Sequence, residues 1–200
     1  RYYEEYGWED FLSVPSLAGA SQYGDAYHGV LDRSRGEVIY YRKDLFEAAG
    51  ITEEPTTYEE LIAVNEALLE ADIVPFQFGG TVNWHLMRLL DNMLETFCGA
   101  EVHDGLTSLE LSWAEEPCVA ETFSEFALWS DKYIVDGFIG IDNSEAAQLQ
   151  YAGIAAMALE GDWNLGVLES NGQDLDNYGI FHFPTGTGRL YGFTEGYYLS

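Results

Sequence analysis

The sequence predicts an α/β fold, and three observations carry that prediction. Helical and strand-like runs alternate along the chain, with turn signals between them. Hydrophobic residues make up 47% of its 200 positions, enough to bury a sizeable core. The run "IAAMALE" (154–160) is continuously apolar and of strand length, as expected of a strand covered on both faces. By length, the chain is one large domain or two small lobes.

Each element has its own signal. "GEVIYY" (36–41) is β-branched and aromatic, so it reads as a strand. "RKDLFEAAG" (42–50) reads as a short helix stopped by Gly50. "PTTYEELIAVNEALLEAD" (55–72) is the clearest helix: Thr57 and Glu60 have capping-box spacing, and Leu61, Val64 and Leu68 share a face with Ile62 and Leu69 beside them. "IVPFQFGG" (73–80) is a strand ending in two glycines. "WHLMRLLDNMLETF" (84–97) is a helix with Trp84, Met87, Leu90 and Leu94 along one side. "CVAETFSEFALWSDKYI" (118–134) is another, with Phe123, Phe126, Trp129 and Tyr133 as its core candidates. "SEAAQLQYAG" (144–153) is a helix with Ser144 as its N-cap, and "DNSE" (142–145) reads as a cap rather than a calcium loop. The apolar strand 154–160 follows. Then come a short helix "DWNLGVLES" (162–170) and a strand "YGIFHFP" (178–184). "PTGTGRLYG" (184–192) lacks phosphate-loop spacing and reads as a surface loop.

Composition limits the function. Asp and Glu number 35 against 8 Lys and Arg, for a formal net charge of −27. Such a surface repels phosphate backbones and anionic headgroups, so nucleic-acid and membrane-surface binding are disfavoured. The acids are spread along the whole chain, which favours solubility, as in a salty habitat, over a specific acidic function. No apolar run reaches the roughly 20 residues of a membrane span. The chain starts at Arg1 and stops in a strand-like run, so both ends read as cuts. Cys98 and Cys118 lack CxxC spacing. Two readings stay open for them: one disulfide in an exported protein, or two unpaired buried thiols.

Catalytic and metal chemistry have little support. His28, His85, His103 and His182 are dispersed and form no HxH or HExxH pattern, so no metal and no cofactor are expected. There is no GxSxG, and neither cysteine has a nearby histidine. A glycosidase acid pair has no distinguishing mark among so many acids.

The aromatics are more informative, at 15% of the chain. Trp163 follows a strand and the pair Gly161-Asp162, at the first turn of a helix. Trp84 and His85 stand similarly after Gly79-Gly80. The C-terminal ends of strands opening into helices are where α/β proteins place ligands. There an indole can stack on the apolar face of a sugar while Asp162 meets its hydroxyls. The plain alternative is that each tryptophan plugs a helix end against its own sheet.

An ordered set of blocks also resembles a known family. "YGWEDFL" (6–12) with "GDAYHGV" (24–30), the long block from Val38 to Gly80, "FIGIDNSEAAQLQYAGIAAMALEGDWNL" (138–165) and "YGIFHFPTG" (178–186) resemble, in order, the extracellular sugar- and oligosaccharide-binding proteins of ABC importers. Three departures stand out: Arg42 where the family has asparagine, Ile154 where it has lysine, and Leu31 where it has proline. The resemblance implies a periplasmic-binding-protein-like (type II) two-lobe α/β fold, present here as a fragment dominated by the C-terminal lobe. Residues 1–37 would be the end of the N-terminal lobe and first crossover, 38–190 the C-terminal lobe, and 191–200 the return crossover. It implies a sugar ligand, a membrane permease as partner, a monomer, no catalytic residues, and an extracellular or periplasmic location with a surface anchor outside this fragment. It places Trp163 as the stacking residue with Gly161 and Asp162 beside it, Trp84 and His85 as the opposite rim, and Glu195 and Tyr197 on the hinge side. A peptide, polyamine or metal chelate in the same cleft is the alternative ligand. A glycoside hydrolase and a structural or adhesion module are the rival classes.

Overall fold

The computed structural model describes residues 5–7, 22–23 and 25–198. The block 6–12 lies mostly outside them. The chain divides into two compact units, Glu37–Tyr191 and the remainder, Arg1–Gly36 with Gly192–Ser200.

The larger unit is built on a mixed sheet. Its strands are the second half of β3 (Gly29–Arg42), β4 (Val74–Phe76), β5 (Ala155–Gly161) and β6 (Tyr178–Phe181), in the order β4-β5-β3-β6. β3 is antiparallel to both β5 and β6, and β4 is parallel to β5. The register explains the alanines of "AAMAL": Tyr40 stands opposite Ala158, so a large ring meets a small residue, while Ile39 pairs with Leu159 and Tyr41 with Met157. All of β5 except Glu160 is fully buried.

Helices cover the sheet. α1 (Lys43–Ala48) and α2 (Tyr58–Glu70) follow β3. α2 begins where the capping box predicts: Glu60 N–H donates to Thr57 Oγ1 at 3.2 Å, and Thr57 N–H donates back to the Glu60 carboxylate at 3.2 Å. Leu61, Val64 and Leu68 are buried, as their spacing predicts. They join Ile39, Phe76, Phe78, Leu89, Met93, Trp129, Met157 and Leu159 in the main core. Trp129 is fully buried, and its ring N–H donates to Tyr58 Oη at 2.9 Å, so its polar edge is satisfied. A smaller cluster gathers Tyr40, Leu168 and Tyr178.

Several sequence expectations are corrected. The helix expected over 84–97 extends as α3 (Asn83–Thr107), broken at Gly99, whose φ of 75° is a left-handed value that favours glycine. Its buried residues include His85, Arg88, Leu89, Asn92 and Met93, and Leu94 is buried as expected, whereas Met87 is 62% exposed and Trp84 39%. In α4 (Pro117–Lys132) Phe123 is exposed and not core. α5 (Asn143–Tyr151) is capped by Asp142, not Ser144: its carboxylate accepts from Ser144 and Glu145 N–H, and Glu145 reciprocates. The segment 184–192 is largely an exposed loop, as its sequence predicts, and it is tethered where Thr185 is buried and the Thr187 hydroxyl donates to Glu95. α6 (Asn164–Ser170) follows β5. Cys98 and Cys118 are joined, linking α3 beside its break to α4 next to Leu94, Leu106 and Val119. Among the described residues no helix is long and apolar enough to cross a membrane.

The smaller unit contains a short hairpin, β1 (Gln22–Tyr23) with β2 (Ala26–Tyr27), and the first half of β3 paired antiparallel with β7 (Gly192–Tyr198). The strand read as 36–41 is therefore longer, because its first half finds a partner far along the chain.

Candidate functional site

β5 leaves the sheet at Gly161, and the chain turns through Asp162 into Trp163, the N-cap of α6. The glycine has a steric reason. A Cβ at position 161 would lie 2.1 Å from the Trp163 ring, so the indole can fold back onto the strand only if that position has no side chain. The Gly161 carbonyl accepts from Tyr40 Oη at 3.1 Å, which fixes the strand exit. Asp162 is exposed and Trp163 half-buried.

The start of α3 supplies the second aromatic. Trp84 packs against His85 with ring centroids 4.8 Å apart. His85 is fully buried. Its Nδ1 accepts from Gly79 N–H at 3.1 Å, which leaves Nε2 to carry the ring proton, 2.9 Å from Glu160 Oε1. The edge of Phe78 closes the other side of the imidazole.

Arg88 connects these elements. It lies one turn beyond Trp84 on α3, is 7% exposed, and places its guanidinium 3.9 Å from the centre of the Trp84 ring and 5.0 Å from that of Trp163. Its edge meets acids: Nε lies 2.7 Å from Glu37 Oε1 on β3, and Nη1 lies 3.4 Å from Glu160 Oε2 on β5. Burial pushes the Glu37 carboxyl up to about 8 despite the opposing pull of Arg88, with Glu160 and Asp91 adding to the rise. Burial likewise lowers Arg88, against the pull of both glutamates. The Tyr191 hydroxyl is raised, first by burial and then by Glu37 and Asp91.

The structure thus brings Gly161, Asp162, Trp163, Trp84 and His85 into one unit, with His85 beneath the surface rather than on a rim. Glu195 and Tyr197 belong to the other unit. There Glu195 pairs with Arg35 at 3.4 Å and Arg33 at 3.7 Å, and Tyr197 is 74% exposed. Sequence reasoning missed Glu37, Arg88 and Glu160. A signal existed for Arg88, the lone cation of α3, four residues after Trp84. Among the described residues no cluster of three or more His, Cys, Asp or Glu side chains could hold a metal ion. A separate groove of about 560 Å³ between Pro55 and Phe183–Arg189 shares no residue with the tryptophan pair. Arg189 on its wall is already paired with Asp104 at 2.8 Å.

Comparison with known proteins agrees with this architecture. The family described as bacterial extracellular solute-binding protein matches residues 10–200. An uncharacterized ABC transporter extracellular-binding protein of Pyrococcus horikoshii is 29% identical over 167 residues, covering 82% of this chain and 37% of its own length. A solved structure of a chitin oligosaccharide binding protein superposes with a TM-score of 0.86 at 28% identity, over 98% of this chain and 50% of that one. A structure from work on xylan utilization by a thermophilic bacterium shares the fold, with a TM-score of 0.81 at 21% identity over 98% of this chain and 52% of its own. The chain spans about half the length of these structures or less of its curated relative. A match over nearly the whole sequence, on a fold of this kind, decides the classification: the chain belongs to the bacterial extracellular solute-binding protein family.

Proposed function

We propose that this chain is part of the substrate-binding component of an ABC-type importer, and that it holds a sugar or oligosaccharide against Trp163 and Trp84 for delivery to a membrane permease. The observation that carries this reading is the pair of partly exposed indoles, one at the exit of β5 and one at the start of α3, both packed on Arg88. Two flat apolar surfaces beside an exposed carboxylate, Asp162, suit a ring with an apolar face and hydroxyl edges. The similarity to a chitin oligosaccharide binding protein supports the same ligand class.

In this reading the unit 37–191 is the C-terminal lobe and the other unit belongs to the N-terminal lobe, with β3 and β7 as the crossovers. Ligand favours the closed state by its differential affinity for it. Glu195 and Tyr197 serve the hinge side, and His85 supports the site from below. The protein acts outside the cell membrane as a monomer tethered to the surface, and it breaks no bond in its ligand.

The test is calorimetric titration of the full-length protein with neutral mono- and oligosaccharides, followed by the same titration of Trp163→Ala. The expected loss is about 1–3 kcal/mol of binding free energy, from the buried aromatic area removed. An unchanged dissociation constant removes Trp163 from the site. Binding of amines or peptides in place of sugars would keep the fold and change the ligand, and turnover of aryl-glycosides would replace the binding reading with an enzyme.

A further inference from the structure

We infer that Arg88 is the positioning residue of this site: its buried guanidinium, gripped by Glu37 and Glu160, sets the two indoles of Trp84 and Trp163 in place and does not itself meet the ligand. The inference rests on the reading that these rings hold the solute.

Burying an arginine with acids is a costly way to fill space. An apolar side chain of similar size would pack there without removing charges from water. The guanidinium offers something an apolar group does not, namely two flat faces and an in-plane fork of N–H donors. Here Nη1 donates to Glu160 on β5 at 3.4 Å, and Nε lies 2.7 Å from Glu37 Oε1 on the neighbouring strand β3. The central carbon of the guanidinium lies over the rings of two tryptophans from different elements, at 3.9 and 5.0 Å. Trp84 shares its helix with Arg88, while Trp163 arrives on a separate turn after β5.

Glu160 completes the link. Its Oε2 faces Arg88 at 3.4 Å and its Oε1 faces His85 at 2.9 Å, so one carboxylate ties two residues of the first turns of α3 to the strand that carries Trp163 three positions later. Arg88 is only 7% exposed, which keeps it behind the rings and not between them and a solute. Beside it stand Glu37, Glu160 and the two indoles, with Tyr191 near enough to act on its charge.

The test labels the full-length protein with 5-fluorotryptophan and assigns the fluorine signals by single Trp→Phe replacements. Arg88→Lys keeps a cation for Glu37 but removes the planar face. Its expected effect is displacement of the Trp84 and Trp163 signals, with those of Trp113 and Trp129 unmoved. Sugar affinity is expected to fall about tenfold, and by less than the summed logarithmic losses when combined with Trp163→Ala. The combined change Glu37→Gln, Glu160→Gln and Arg88→Met removes the guanidinium together with both of its acids and is expected to displace the same two signals. Unmoved signals in either variant would overturn the inference, and so would displaced signals with unchanged affinity where Trp163→Ala itself weakens sugar binding. Trp163→Ala alone reports on the ligand reading. If it leaves affinity intact, that reading fails, whereas displaced signals in Arg88→Lys still uphold the brace.

Discussion

Glu37 stands where a carboxylate is reluctant to ionise. It is 1% exposed, and burial raises it from 4.5 to about 8 although Arg88 lies beside it. Below that pH the neutral carboxyl stays beside Arg88, Oε1 2.7 Å from Nε, and Glu160 balances the guanidinium charge. The sign of the linkage follows. A folded state that holds this proton more tightly than the unfolded chain has its full advantage below pH 4.5 and loses it as pH rises toward about 8. Glu37→Gln has no such proton to lose. Urea midpoints measured from pH 5 to 8 are therefore expected to fall more steeply for the natural protein than for Glu37→Gln; parallel curves would remove the raised carboxyl. This residue also shows what sequence can carry. Trp163 and Trp84 announce themselves locally, each beside glycine at a strand-to-helix passage. Glu37, Arg88 and Glu160 carry no local mark, because their partners lie on other elements and meet only after the sheet has formed.

At the scale of elements, α3 and α4 form the part most dependent on a covalent tie. α3 breaks at Gly99, and the residue before the break is bonded to Cys118 near the start of α4. Only a small cluster of Leu94, Leu106 and Val119 packs there. Closing a loop of this size restricts the unfolded chain by about 3 kcal/mol in the chain-entropy account. Replacing both cysteines by alanine is expected to lower stability by that order, read as a lowered urea midpoint with a somewhat steeper slope, because the unlinked unfolded chain exposes more surface. An unshifted midpoint would mean that the helices hold without the tie. The same helix marks a limit of periodicity. α2 is legible because its capping box and apolar face are both short-range. The apolar spacing of α3 identifies Leu94 but not the rest of its buried face, because that face includes His85, Arg88 and Asn92, polar residues that hydropathy assigns to solvent. The strand order β4-β5-β3-β6 was not legible either, since pairing of β3 with β5, β6 and β7 joins segments remote in sequence.

For the whole molecule the governing quantity is charge. A net charge of −27 on 200 residues opposes compaction, because folding brings like charges closer than they lie in the open chain. The few cations are largely committed: Arg42 to Asp44, Arg88 to Glu160, Lys132 to Glu66 and Arg189 to Asp104. Most of the repulsion among the remaining acids must be relieved by solvent ions. The screening length falls from about 30 Å at 0.01 M salt to about 3 Å at 1 M, so repulsion that acts across the whole molecule at low salt becomes nearly local at high salt. The melting temperature at pH 7 is therefore expected to rise by several degrees between low and molar sodium chloride, with most of the rise complete by a few tenths molar. Near pH 4, where many carboxylates take up protons, the rise is expected to shrink strongly. Thermal melts across that grid separate screening from general salting-out, which strengthens burial and continues to grow at high salt whatever the charge. A rise of equal size at both pH values would assign the effect to burial and leave the acidic surface without a role in stability.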